Sequence, residues 1–145
     1  MRLNRWLTPL VIGAFVLGVY ASAQSPLPTA AGIESEMVSG NPTCEDVGYE
    51  CGFKLDPPSA GTYDVGGGTI TLVFPSDPYG DPYFDWSSTI VIEAVLAKGG
   101  PVANLYEYPP DGVITADQGL SAPDRVPGRP YGLSHVEFCC VGEER

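Results

Sequence analysis

Basic residues are scarce in this chain. Seven lysines and arginines stand against 18 aspartates and glutamates, with a single histidine among 145 residues. Nucleic acids and anionic membrane surfaces attract basic patches, so this balance argues against both as partners. Sustained helical periodicity is missing too: no segment carries an apolar stripe at i, i+3, i+4 and i+7. There is no internal repeat, no G-x-S-x-G nucleophile elbow and no phosphate-binding P-loop. The cysteine spacings do not match the C-x₂₋₄-C knuckle of a zinc site. Only one long apolar run exists, and it is N-terminal. No C-terminal anchor is expected from the closing residues, "VGEER".

The N-terminal run has three parts. Arg2 and Arg5 form a positive region, Trp6 to Tyr20 is apolar apart from Thr8 and Pro9, and Ala21-Ser22-Ala23 offers small residues for cleavage before Gln24. That is the pattern of a secretory signal. The run is short for a membrane span, which needs roughly 20 residues. Loss of residues 1–23 removes Arg2 and Arg5, leaving five basic residues against 18 acidic ones and a net charge of −13. The expected location is therefore secreted and extracellular, or periplasmic, with no membrane insertion after cleavage near Ala23–Gln24. Residues 24–40, "QSPLPTAAGIESEMVSG", lack apolar periodicity and read as a flexible linker. One domain is expected over residues 41–145.

Short strand-like runs fill that domain, separated by turn residues drawn from 18 glycines and 15 prolines. The expected fold class is all-β: a small antiparallel β-sandwich of jelly-roll or immunoglobulin-like kind, stapled by disulfides. "GTITLVF" alternates, with Ile70, Leu72 and Phe74 on one face. "STIVIEAVLAK" places Ile90, Ile92, Ala94 and Leu96 on one face and Val91, Glu93, Val95 and Ala97 on the other. Apolar on both faces, it reads as a central strand covered on both sides. "PVANLYEY" points Tyr106 and Tyr108 the same way. "LSHVEFCC" alternates Val136, Phe138 and Cys140 against His135, Glu137 and Cys139. "DVGGGT", "KGG" and "YPPDG" are turns. "PSDPYGDPYFDW" and "SAPDRVPGRPYG" are long loops, the second extended by its prolines.

Four cysteines in a secreted chain are first read as disulfides. Cys139 bonded to its neighbour Cys140 would close a strained ring. The other pairings both tie the start of the domain to its last strand. Adjacent strand residues point to opposite faces, so the two thiols reach different points of the N-terminal segment. Cys44–Cys139 with Cys51–Cys140 is preferred, and the crossed pairing is the alternative.

Few residues suggest chemistry. Asp77, Asp81 and Asp85 lie within nine residues, and hard carboxylate oxygens near backbone carbonyls suit Ca²⁺. Their spacing is not that of an EF-hand and prolines restrict the loop, so a solvated acidic turn is expected and no cofactor. In the same loop Tyr79 and Tyr83 stand beside Asp77 and Asp81. Rings can stack on sugar faces while carboxylates take hydroxyls, which makes these four the candidate ligand-binding residues. Phe84 and Trp86 share strand parity and are expected in the core. His135 has only Ser134 beside it as a nucleophile, and strand neighbours diverge, so no triad is expected. Paired carboxylates for glycoside cleavage are conceivable in so acidic a chain, but nothing singles out a pair.

Several phrases, in order, resemble one family: "GNPTC" (40–44), "GFKLDPPSAGTY" (52–63), "FDWSSTIVIEAVLAKGGPVANLYEY" (84–108), "DQGLSAP" (117–123) and "PYGLSHVEFC" (130–139). The pattern is similar to that of an uncharacterised β-rich domain of secreted and surface-anchored bacterial proteins. The resemblance covers most of residues 40–140. It implies a secreted bacterial module and carries no activity. In that pattern single cysteines match positions 44 and 139, while aromatic residues match 51 and 140; cysteine at both of the latter supports the preferred pairing. The expected function is an extracellular binding module at the bacterial cell surface, without catalysis, for a surface, polysaccharide or protein ligand. A small extracellular hydrolase and a structural envelope component are the alternatives.

Overall fold

The computed structural model describes residues 29–75 and 82–140. Every regular element among them is a strand. In chain order these are β1 (Glu36–Ser39), β2 (Cys51–Leu55), β3 (Gly61–Asp64), β4 (Thr69–Val73), β5 (Tyr83–Ser88), β6 (Ile92–Gly99), β7 (Val102–Glu107), β8 (Ala116–Ser121), β9 (Asp124–Val126), β10 (Arg129–Pro130) and β11 (His135–Cys140). No described helix is long and apolar enough to cross a membrane. A five-stranded sheet runs β1-β7-β6-β11-β2, a four-stranded sheet runs β3-β4-β5-β8, and β9 with β10 forms a separate two-stranded hairpin. All the pairings are antiparallel.

The two larger sheets pack face to face as an antiparallel sandwich. Alternation drives this: each strand buries every second side chain on the shared face. Ile70, Leu72, Phe84, Trp86 and Leu120 from the four-stranded sheet meet Val95, Ala97, Tyr106, Val136 and Phe138 from the other. The Trp86 ring lies edge-on to Tyr108 and Phe138, with centroids 5.7 Å apart in both pairs. Polar bolts cross the same core. Trp86 Nε1 donates to the Tyr108 hydroxyl (3.1 Å), which donates to Asp117 Oδ2 (2.9 Å). Asp117 Oδ1 accepts the backbone N–H groups of Ala31 and Gln118, each at 2.8 Å. Tyr106 donates to the Ser121 carbonyl and accepts from its N–H, both at 3.0 Å, while Asn104 Nδ2 donates to that carbonyl at 2.9 Å. Buried polar groups are costly unless paired, and these are paired across the sandwich.

Both faces of β6 are covered, but not with the parity expected. The ladder pairs Cys139 with Ala94 and Cys140 with Ile92, so Glu93 is an extra residue in a β-bulge. Ile92 therefore joins Val95 and Ala97 in the sandwich core, while Ala94 and Leu96 face outward. The outward face is covered by the segment before β2. Cys44, Val47 and Tyr49, with Val38 of β1, pack on Ala94, Leu96, Ala103, Leu105 and Cys139.

Both disulfides follow the preferred pairing. Cys44–Cys139 spans 5.4 Å between Cα atoms and Cys51–Cys140 spans 5.6 Å. Cys139 shares the outer face with Ala94 and Leu96, and Cys140 shares the inner face with Phe138. The last strand is thus stapled on both faces. Gly52 makes the outer staple possible: a Cβ there would lie 2.9 Å from Cys44 Sγ and would collide with the Glu137 carboxylate.

The domain begins earlier than residue 41. β1 lies inside the stretch expected as a linker and pairs with β7 from Glu36↔Leu105 to Ser39↔Val102. Thr29 is buried, and Ala30 N donates to the Gln118 carbonyl at 3.1 Å. Backbone pairing at a sheet edge needs little apolar alternation, so this strand leaves a faint trace in composition. Likewise the loop 121–132 is not wholly irregular, because β9 and β10 form within it.

Candidate functional site

The direction of each strand defines two ends of the sandwich. At one end lie the starts of β2, β4, β6 and β8 and the finish of β11. The two sheets part there and leave a cleft of about 890 Å³. Its apolar floor includes Phe53, Ile70, Ile92 and Phe138, and the Cys51–Cys140 pair forms part of the wall. Pro109–Val113, from the β7–β8 connection, and Val65–Gly67, from the β3–β4 turn, complete the lining.

Local chemistry explains each wall. In the β3–β4 turn, Val65 N bonds to the Gly68 carbonyl (3.0 Å) and Gly66 N to Asp64 Oδ1 (2.9 Å). Gly66 sits at φ +74°, a conformation that favours glycine. The β7–β8 connection turns on a Gly112 N to Pro109 O bond of 2.9 Å. Glu93, the bulged residue of β6, is part of the cleft lining.

The cleft carries one sign of charge. Glu50, Glu93 and Asp111 line it, and no lysine, arginine or histidine does so among the described residues. Glu50 and Asp111 are exposed and Glu93 is half-exposed, so the carboxylates lie near the solvent edge while the floor is apolar. None of them forms an ion pair among the described residues, where the only pair is Lys54–Asp56 at 3.6 Å. Such a site suits a cationic group attached to an apolar body: the floor removes apolar surface from water, and the carboxylates stay hydrated until a cation meets them. Close by, the Tyr49 hydroxyl donates to Glu107 Oε1 at 2.9 Å. Burial, and then Glu107 and Glu93, push that phenol up to about 12.

The residues expected to bind ligand do not meet in this cleft. Asp77, Tyr79 and Asp81 lie outside the described residues. Tyr83 starts β5 at the opposite end of the sandwich and is 39% exposed on the outer face of the four-stranded sheet. Asp85 shares that face, where its Oδ1 accepts the Gly119 N–H at 2.9 Å and holds the irregular pairing of β5 with β8. No group of three His, Cys, Asp or Glu side chains suited to a metal occurs among the described residues.

His135 is also far from the cleft. It is 5% exposed on the outer face of β11, opposite Lys98 in register. Burial, followed by the charges of Lys54 and Lys98, lowers its pKa, and Asp56 opposes them. On the same face Glu137 is 8% exposed, and its Oε2 has no hydrogen-bond partner among the described residues.

Sequence reading identified "DVGGGT" and "YPPDG" as turns without linking them. They are 39 residues apart, from Thr69 to Tyr108, and only the antiparallel strand directions bring them to one end. No family model, no curated protein and no solved structure matches this chain.

Proposed function

We propose that this protein is a secreted bacterial module that binds a ligand at the cell surface, and that the acidic, apolar-floored cleft at the end of the sandwich is its site. The cleft carries the reading. It joins the starts of β2 and β6 and the finish of β11; Cys51–Cys140 ties β2 to β11, Cys44–Cys139 ties the segment before β2 to β11, and β6 is laddered to β11, so its walls are built on cross-linked and paired strands. Two disulfides also suit an oxidising compartment. The ligand class is a cation with an apolar portion. A binding role is favoured over a hydrolase because no hydroxyl nucleophile and no histidine line the cleft among the described residues, and its carboxylates Glu50, Glu93 and Asp111 accompany an apolar floor in place of the polar one that glycoside cleavage would need.

The test uses two probes with one tail and opposite heads, octyltrimethylammonium and octanesulfonate. Each is titrated against the oxidised chain from Gln24 onward while the resonances of Ile92 and Phe138 are followed by NMR. Saturable shifts with the ammonium alone, reduced by E50R/E93R, support the reading. Equal response to both heads, or none to either, overturns it.

A polysaccharide ligand would use a different face. Thr62, Thr71 and Ser87 stand in register across β3, β4 and β5, and the Thr62 and Thr71 hydroxyls bond at 2.8 Å. With Tyr83 and Asp85 on the same side, this row offers hydroxyls and a ring to an extended polymer. Retention on a polysaccharide panel that is lost in T71V/S87A would favour that face over the cleft.

A further inference from the structure

We infer that the cleft of one copy receives the β9–β10 hairpin of a second copy, so that the protein associates head to tail. The inference rests on the cleft being a binding site and names its partner.

The chain has few cations, and their placement is uneven. Lys54 pairs with Asp56, and Lys98 Nζ donates to the Gly100 carbonyl. The other described cations are Arg125 and Arg129, both on the hairpin. Residues 124–129 are all exposed, and neither arginine has an ion-pair partner among the described residues. Between them Val126 is 45% exposed. The hairpin therefore presents two guanidinium groups beside an apolar side chain, on a turn closed by a Gly128 N to Asp124 Oδ2 bond of 2.9 Å. That is the chemistry the cleft lacks and would take: Glu50, Glu93 and Asp111 around an apolar floor. Arginine forks and carboxylates match in geometry as well as in charge.

Topology prevents the two surfaces from meeting within one molecule. β8 runs from the cleft end to the far end and leads directly into the hairpin. β11 then returns from the far end to Cys140 in the cleft wall. Tyr131 fixes the hairpin's base at the far end: its N–H bonds to the Pro123 carbonyl at 2.9 Å, and its ring lies over Gly100 of the β6–β7 turn, where a Cβ would be 2.7 Å away. Complementary patches at opposite ends generate a heterologous contact, which propagates as an open chain or closes as a ring.

The test is sedimentation velocity on the oxidised chain from Gln24 onward, which contains every described residue, over a concentration series reaching millimolar. R125E/R129E and E50R/E93R are compared with the four-site variant that reverses both ends. Glu50, Arg125 and Arg129 are exposed and Glu93 is half-exposed, and circular dichroism with Trp86 fluorescence checks that each variant is folded. The expected result is mass rising with concentration for the parent chain. Each single-end variant should weaken association at least tenfold, and the four-site variant should recover it. A parent chain that stays monomeric throughout, or association unchanged by R125E/R129E, overturns the inference. Octyltrimethylammonium separates the two proposals. If it binds the cleft while the chain stays monomeric, the head-to-tail inference alone fails; if it does not bind and no association occurs, both fail.

Discussion

Removing the two disulfides singly and together should give strongly non-additive losses, because the loops they close overlap over nearly their whole length. Cys44–Cys139 spans 95 residues and Cys51–Cys140 spans 89. Either bridge alone, closing its loop in an otherwise open chain, contributes about 4.7 kcal/mol of denatured-state entropy. Once one is present, the other closes only the short circuit from 44 to 51 and from 139 to 140. That loop of about eight residues is worth about 2.5 kcal/mol. C51A/C140A should therefore cost about 2.5 kcal/mol, whereas loss of both bridges should cost about 7 kcal/mol, more than twice as much. That is comparable with the whole stability, about 5–15 kcal/mol, of a small domain. C44A/C139A should cost more than C51A/C140A. Cys44 and Cys139 are both 1% exposed or less, and their bond clamps Val47 and Tyr49 over Ala94, Leu96, Ala103 and Leu105. Urea denaturation of the four proteins measures the cycle. If the two single-bridge losses sum to the loss of both, or if C51A/C140A is the costlier, the overlapping-loop reasoning is wrong.

Three further outcomes follow from particular contacts. Gly52→Ala should destabilise by about 1–3 kcal/mol, because the disulfide holds Cys44 Sγ where the new Cβ must go; a change within about 0.5 kcal/mol in urea melts would show that the outer staple yields. Asp117→Ala strands the Tyr108 hydroxyl and two backbone N–H groups, so it should cost about 3 kcal/mol or more and speed hydrogen exchange at Ala31; unchanged exchange there would detach the 29–33 segment from this carboxylate. His135 has a folded pKa below its ordinary 6.5, so its contribution is present above that value and is lost as pH falls from 6.5 through the folded pKa. Tm measured from pH 7 downward should fall less steeply in H135Q than in the parent, and an NMR titration midpoint at or above 6.5 would refute the assignment.

Much of the fold was legible because alternation is a local property. Ile70 with Leu72, Tyr106 with Tyr108, and Val136 with Phe138 all bury the faces their spacing assigned. The two cysteines at 139 and 140 announced a strand fixed on both sides; their divergence left two pairings open, and the structure holds the preferred one. β1 and β3 were not legible: "EMVS" and "GTYD" are edge strands with half-exposed or exposed side chains, held mainly by backbone hydrogen bonds. The bulge at Glu93 was equally hidden. A register shift depends on which residues of β11 stand opposite, and no pattern within β6 records that.

The sequence by itself determined strand character, the excess of carboxylates and the scarcity of cations, all of them sums over residues or short-range periodicities. The tertiary structure alone decided where the charges converge. Glu50, Glu93 and Asp111 are 43 and 18 residues apart along the chain, yet antiparallel pairing brings the approach to β2, the start of β6 and the β7–β8 connection to one end. Arg125 and Arg129 go to the other end because β8 and β11 run in opposite directions with the hairpin between them. Charge counts add along a chain, but the polarity of a molecule depends on the direction in which each strand runs.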